Sequence, residues 1–295
     1  MRKIRRNDKE LGFESSDFEQ SAKVQYIKVF NGIELRVLSF EKVKYPAENI
    51  EILFIPGFLT IFPRWEKVVM ELSENYKVHY VETREKKTSK FVKKNSMKIT
   101  EMCKDLEYIE KALLLNKRKY ITISSSLGGA LILESLAVKL ISPLGSIIIG
   151  PGIEIPIKKL APIIIRLIPI FVVYLLKPFI RWYIRTRLVD FEKEPQQAAA
   201  YIRAVEEADI RKMKKWILAN ANKYNGWNNL PNISNRIILI GASTDKAHSS
   251  DISEKVASAL PNCAYVDLGT NKAAHDTPLV NFTREFMKEL SNKGA

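Results

Sequence analysis

Ser124-Ser125-Ser126-Leu127-Gly128-Gly129 is the segment of this 295-residue chain whose residue types and spacing could do covalent chemistry. It follows the apolar run Tyr120–Ile123 and leads at once into a helix-forming stretch, Leu127 to Ile141. A strand that turns directly into a helix lifts the residue at the turn above the sheet edge. The residues two before and two after must then be small, and here they are Ser124 and Gly128. Ser126 would be the nucleophile, and the Leu127 N–H, at the helix N-terminus, one donor for an oxyanion. The chemistry of such a serine is acyl transfer. Taken by itself, the same segment also fits a small-residue turn that ends a strand.

A serine nucleophile needs a base for its proton and an acid to orient that base. The chain has three histidines, His79, His248 and His275. His79 falls inside the strand-like run Val78 to Val81 and reads as a core or edge residue. No grouping of His, Cys, Asp and Glu has metal-ligand spacing, so neither a metal nor a cofactor is expected. Cys103 and Cys263 are the only cysteines, too few for a disulfide framework. They suit a reducing, cytoplasmic setting.

The elements that would carry these residues follow from periodicity. Val24 to Phe30 and Glu34 to Ser39 read as strands joined by a two-residue Asn31-Gly32 turn. Strands are also expected at Glu51–Pro56, Val78–Val81, Tyr120–Ile123, Ser146–Gly150, Arg236–Ile240 and Ala264–Leu268. Helices are expected at Pro63–Tyr76, Met97–Asn116, Leu127–Ile141, Ser250–Leu260 and Leu279–Leu290. This alternation predicts an α/β fold: a mostly parallel central sheet with helices on both faces, led in by an antiparallel hairpin. The predicted core is 21–151 and 236–295, preceded by a basic tail over 1–20. Residues 152–235 are too many for a loop and are expected to form an inserted helical cap, with a helical signal over Pro195 to Ala221.

On these motifs the chain resembles the α/β-hydrolases. Ile55-Pro56-Gly57-Phe58 is similar to the family's His-Gly-x segment after the third strand, which gives Phe58 the second oxyanion N–H. Glu82-Thr83-Arg84-Glu85-Lys86-Lys87-Thr88-Ser89 stands where the family has Asp-x-Arg-Gly-x-Gly-x-Ser, with both glycines replaced by charged residues. Gly241-Ala242-Ser243-Thr244-Asp245 resembles the acid turn after the strand that follows the cap, which implies Asp245 as the acid, with Asp276 and Glu154 as weaker substitutes. His275, after the last strand, takes the place of the family's base. The order Ser126, Asp245, His275 is the order this fold requires. The resemblance implies a serine esterase or lipase-like hydrolase acting through an acyl-enzyme on Ser126. The runner-up it implies is a thioesterase or acyltransferase, and the alternative from a different class is a non-catalytic, membrane-associated binding protein of the same fold.

Charge supplies the rest. There are 47 Lys and Arg against 33 Asp and Glu, a net charge of +14 that calls for an anionic partner. Residues 155–189 carry Lys158, Lys159, Arg166, Lys177, Arg181, Arg185 and Arg187 with no acidic residue, interleaved with long aliphatic runs. The ten uncharged residues from Leu167 to Leu176, broken by Pro169, are too few to span a bilayer, which takes about 20. An apolar cap with a cationic face fits two readings equally, one that lies peripherally on an anionic membrane and one that packs over the active site with its cations solvated; either favours a lipophilic acyl ester. Ile164, Phe171, Tyr174, Phe179 and Trp182 are the candidate substrate- or membrane-facing residues. Nucleic acid is not expected, because the basic residues lack interleaved base-stacking patterns and no binding motif is present.

Overall fold

The computed structural model describes residues 15–41, 50–91, 95–183, 202–243 and 250–292. Eight strands form one sheet: β1 (Lys23–Lys28), β2 (Glu34–Phe40), β3 (Ile50–Ile55), β4 (Val78–Val81), β5 (Lys119–Ser126), β6 (Gly145–Pro151), β7 (Ile237–Gly241) and β8 (Cys263–Asp267). Their order is β1-β2-β4-β3-β5-β6-β7-β8. The first two pairings, β1–β2 and β2–β4, are antiparallel, and all the others are parallel. The inner parallel strands β3, β6 and β7 are Ile- and Leu-rich runs buried on both faces, while the edge strands β1 and β8 are only partly buried.

Strand alternation divides the core in two. Leu53 and Ile55 face one layer, made by α3 (Ile99–Met102), α4 (Lys104–Ala112), α5 (Leu127–Ala137) and α9 (Ser250–Ala259). Ile50, Ile52 and Phe54 face the other, made by α2 (Glu66–Ser73) and α10 (Thr277–Asn292). The chain leaves β3 toward β4 on one side and leaves β5 toward β6 on the other. β3 and β5 are themselves neighbours, so a crevice opens between their carboxyl ends, the usual ligand position in a doubly wound sheet.

Several elements depart from the expectations above. The hairpin loop has three residues: Val29 N–H donates to Ile33 O at 2.7 Å, and Phe30, Asn31 and Gly32 turn between them, with Asn31 and Gly32 at positive φ. The helix expected over 97–116 is divided into α3 and α4 at Cys103. The one expected over 63–76 becomes a 3-10 turn at Phe62–Arg64 followed by α2. Part of the segment expected to be a basic tail is packed structure. A short helix, α1 (Asp17–Ser21), seats Phe18 on Phe40 with ring centroids 4.5 Å apart. The buried Glu19 beside it meets Arg36 and Arg203. Burying an aromatic ring and pairing two cations outweighs the loss of chain freedom there.

Between β6 and β7 lie α6 (Ala161–Leu167), α7 (Ile170–Tyr183), a helical stretch at 202–207 and α8 (Ile210–Asn220). α6 and α7 meet at a bend of 106°. Lys214 of α8 donates to the carbonyls of Arg166 and Ile168, at 2.9 and 2.7 Å, and so satisfies the C-terminal end of α6. No single described helix is long and apolar enough to cross a membrane. The bent α6–α7 pair passes that test jointly, by length and composition.

Candidate active site

Ser126 ends β5 and caps α5 with φ 45° and ψ −111°, a backbone conformation a non-glycine residue rarely holds. The turn is tight because α5 lies directly on the end of β3. A Cβ built on Gly128 would sit 2.1 Å from the Ile55 carbonyl oxygen, and one on Gly129 would sit 2.6 Å from Ile148 Cγ2. The requirement for small residues read from the sequence is therefore a contact between two backbones. Ser124, two residues before Ser126, is fully buried, and its hydroxyl has no hydrogen-bond partner.

Ser126 opens into a cavity of about 490 Å³ at the sheet edge. It is lined by Gly57, Phe58, Ile149, Ile240 and His275, and by Val173, Lys177, Val205, Ile210 and Met213 from the helices between β6 and β7. The lining is mostly apolar, of a size suited to a small organic ligand. Gly57 lies against the serine, with its ideal Cβ position 3.3 Å from Ser126 Cβ. Among the described residues, neither the Phe58 N–H nor the Leu127 N–H donates to an acceptor. Backbone donors almost always find partners when buried, so two without one beside a serine make a natural cradle for a transient anion.

His275 lies in a 3-10 turn, Ala273–His275, just before α10. Its Nδ1 is 2.8 Å from the Asn271 carbonyl oxygen. A carbonyl only accepts, so Nδ1 carries the proton, and in the neutral ring Nε2 is the basic nitrogen. Trp65 stacks on the imidazole with centroids 4.3 Å apart and fixes its plane. Arg64 and Asn271 also line the cavity and are joined at 2.8 Å.

Ser126, His275, Phe58 and Leu127 thus come together at one sheet edge. Asp245 lies outside the described residues, as does His248. Neither substitute acid lines the cavity. Asp276 is held by Lys67 and the Thr277 N–H, which keep its carboxyl below the usual range. Glu154 is exposed and pairs through its backbone with Asn225. Ile164, Phe171, Tyr174, Phe179 and Trp182 are all exposed, and none lines the cavity. The α7 residues that do line it are Val173 and Lys177. No group of three or more metal-binding side chains occurs among the described residues.

His79 explains itself. It accepts or donates at 2.8 Å to Ser39 Oγ through Nδ1 and at 2.8 Å to Glu51 Oε2 through Nε2. The three residue types match a catalytic triad, but Glu51 lies at the opening of β3, the opposite sheet edge from Gly57. None of the three lines the cavity.

No protein-family model matches the sequence, and no curated protein matches it. Solved structures do. An enol-lactonase from Burkholderia xenovorans LB400 superposes with a TM-score of 0.72 at 17% identity, over 90% of this chain and 100% of its own. The chain has the α/β-hydrolase fold. A thermophilic esterase from Thermogutta terrifontis is similar at TM-score 0.69 and 17% identity, over 91% of this chain and 99% of that one. A membrane phospholipase A, a bacterial virulence factor, is similar at TM-score 0.66 and 14% identity, over 98% and 90%. Within the α/β-hydrolase frame, Lys86, Lys212 and Trp216 are site-supporting residues that no motif signalled, and their contacts are described below.

Proposed function

We propose that this α/β-hydrolase-fold protein is a serine hydrolase that cleaves a lipophilic carboxylic ester at a membrane surface. The observation that carries the reading is Ser126, held at φ 45° in the lining of an apolar cavity that it shares with His275 and Phe58. His275 Nε2 takes the Ser126 Oγ proton as the oxygen attacks the acyl carbonyl. The N–H groups of Phe58 and Leu127 receive the oxyanion, and Asp245 is the acid that steadies the imidazolium. As the tetrahedral intermediate collapses, the imidazolium protonates the leaving alcohol. Water, deprotonated by the same histidine, then releases the acid and restores Ser126. Similar folds named esterase, enol-lactonase and phospholipase A fit this reading. A lipophilic acyl group fits the aliphatic lining, and a membrane surface fits the exposed apolar residues of α6 and α7.

A fluorophosphonate probe tests it. The wild-type protein is expected to be labelled on Ser126 and Ser126→Ala to remain unlabelled. A series of p-nitrophenyl esters should be cleaved faster at medium or long chain than as acetate. An unlabelled wild type, or equal labelling of Ser126→Ala, overturns the catalytic reading.

A further inference from the structure

We propose that Lys86 is the residue that sets the oxyanion hole, by fixing the Gly57–Phe58 peptide plane from behind. This rests on the hydrolase reading above and names a positioning residue for it. Lys86 is buried, and its Nζ donates to the Gly57 carbonyl oxygen at 2.9 Å. A trans peptide is planar, with C=O and N–H pointing in opposite directions. Anchoring the Gly57 carbonyl on an ammonium therefore turns the Phe58 N–H the other way, and both residues line the Ser126 cavity. The pull of a cation on that carbonyl also polarises the peptide, making the N–H a stronger donor.

The loop has reason to need such an anchor. Leu59 sits at φ 57°, the left-handed region, which is unfavourable for a non-glycine residue. The turn's own bond, Thr60 N–H to Gly57 O, is long at 3.2 Å. Without Lys86, that one weak hydrogen bond would be the only polar contact among the described residues for a strained turn whose central peptide must point at the reacting carbonyl.

The ammonium is itself held in place. Glu85, wholly buried where the resembling motif has glycine, pairs with Lys86 at 2.7 Å and accepts from Thr83 Oγ1 at 2.8 Å. Lys212 of α8 donates to the carbonyls of Lys86 and Ser89, both at 2.7 Å, and to Ser89 Oγ at 2.8 Å. Four residues along the same helix, Trp216 stacks on Phe58 with centroids 4.1 Å apart. Of the residues that stand at the motif's glycines, Lys87 is exposed and Glu85 is buried against the Lys86 ammonium, with its Oε2 left without a hydrogen-bond partner. The Lys86 ammonium reaches the site through the Gly57 carbonyl.

Lys86→Met keeps the length and removes the donor. Its kcat on a p-nitrophenyl ester should fall about 10- to 100-fold with KM within about 3-fold of wild type, as for a weakened oxyanion donor. Affinity for a trifluoromethyl ketone, whose hemiketal oxygen occupies the same hole, should fall by the same factor as kcat/KM. Lys86→Arg should recover most of both. A variant with a lowered melting temperature but unchanged kcat and ketone affinity overturns the assignment and leaves Lys86 a stabilising residue only. Wild-type protein that takes no fluorophosphonate overturns the hydrolase reading and this one with it. Labelled wild type with fully active Lys86→Met overturns this one alone. If the variants do not fold, wild type phosphonylated on Ser126 decides by its structure. The phosphoryl oxygen should lie within about 3.2 Å of Phe58 N with Lys86 still on Gly57 O. A phosphoryl oxygen turned away from Phe58, or a released Gly57 carbonyl, overturns it.

Discussion

At the scale of single residues, the site is held by side chains and peptides with few alternatives open to them. Ser126 stores backbone strain, His275 is pinned between Asn271 O and the Trp65 ring, and the Gly57 carbonyl accepts from both Lys86 and Thr60. Ser124 is the exception. Its hydroxyl is buried in β5 with no partner, so it contributes a desolvation cost without a hydrogen bond. Ser124→Ala should therefore raise the urea midpoint, by a stability gain of about 1 kcal/mol. A fall in the midpoint would mean that the hydroxyl has a role in the elbow.

Among elements, the decisive contact is α5 against β3. With the Ile55 carbonyl 2.1 Å from an added Cβ, Gly128→Ala must push helix and strand apart. The expected loss is about 3 kcal/mol, read as a lowered urea midpoint or as insoluble expression. Legibility in the sequence follows the same division between local and distant contacts. Strand β4 is read from its apolar residues with its observed bounds, and the parallel strands come within a few residues, because burial on both faces leaves an unbroken apolar run. Ser126, Phe58, Leu127 and His275 are legible because their places are set by strand ends. The break at Cys103 and the docking of Phe18 on Phe40 depend on packing partners that no local pattern encodes. Lys86 is harder still. It meets Gly57 across 29 positions of chain, and in the sequence the charges around it read as losses from a motif.

For the molecule as a whole, the helices between β6 and β7 carry two sets of residues. Val173 and Lys177 look into the cavity, while Leu160, Ile163, Leu167, Phe171, Leu175 and Phe179 are exposed, Leu167 and Leu175 by 73% and 72%. Exposed apolar residues of this number, with Lys158, Lys159 and Arg166 beside them, are the basis of the proposed anionic membrane contact. In sedimentation with phosphatidylglycerol vesicles, the wild type should pellet at low salt. Leu167→Ser, Phe171→Ser and Leu175→Ser combined should stay in the supernatant. Replacing Lys158, Lys159 and Arg166 by Gln should weaken binding most at low salt, where screening is least. Equal pelleting of all three proteins would remove the membrane from the proposal.

Helix α8 ties these scales together, since it lines the cavity through Ile210 and Met213 and reaches the core through Lys212 and Trp216. A segment with that second attachment is not an interchangeable module. A chimera that exchanges 152–235 for the matching segment of another protein of the same fold would also remove the supports of the loop after β3. Grafts that retain Ile210–Asn220 keep those supports, so new specificity in this scaffold has its freest ground in α6 and α7.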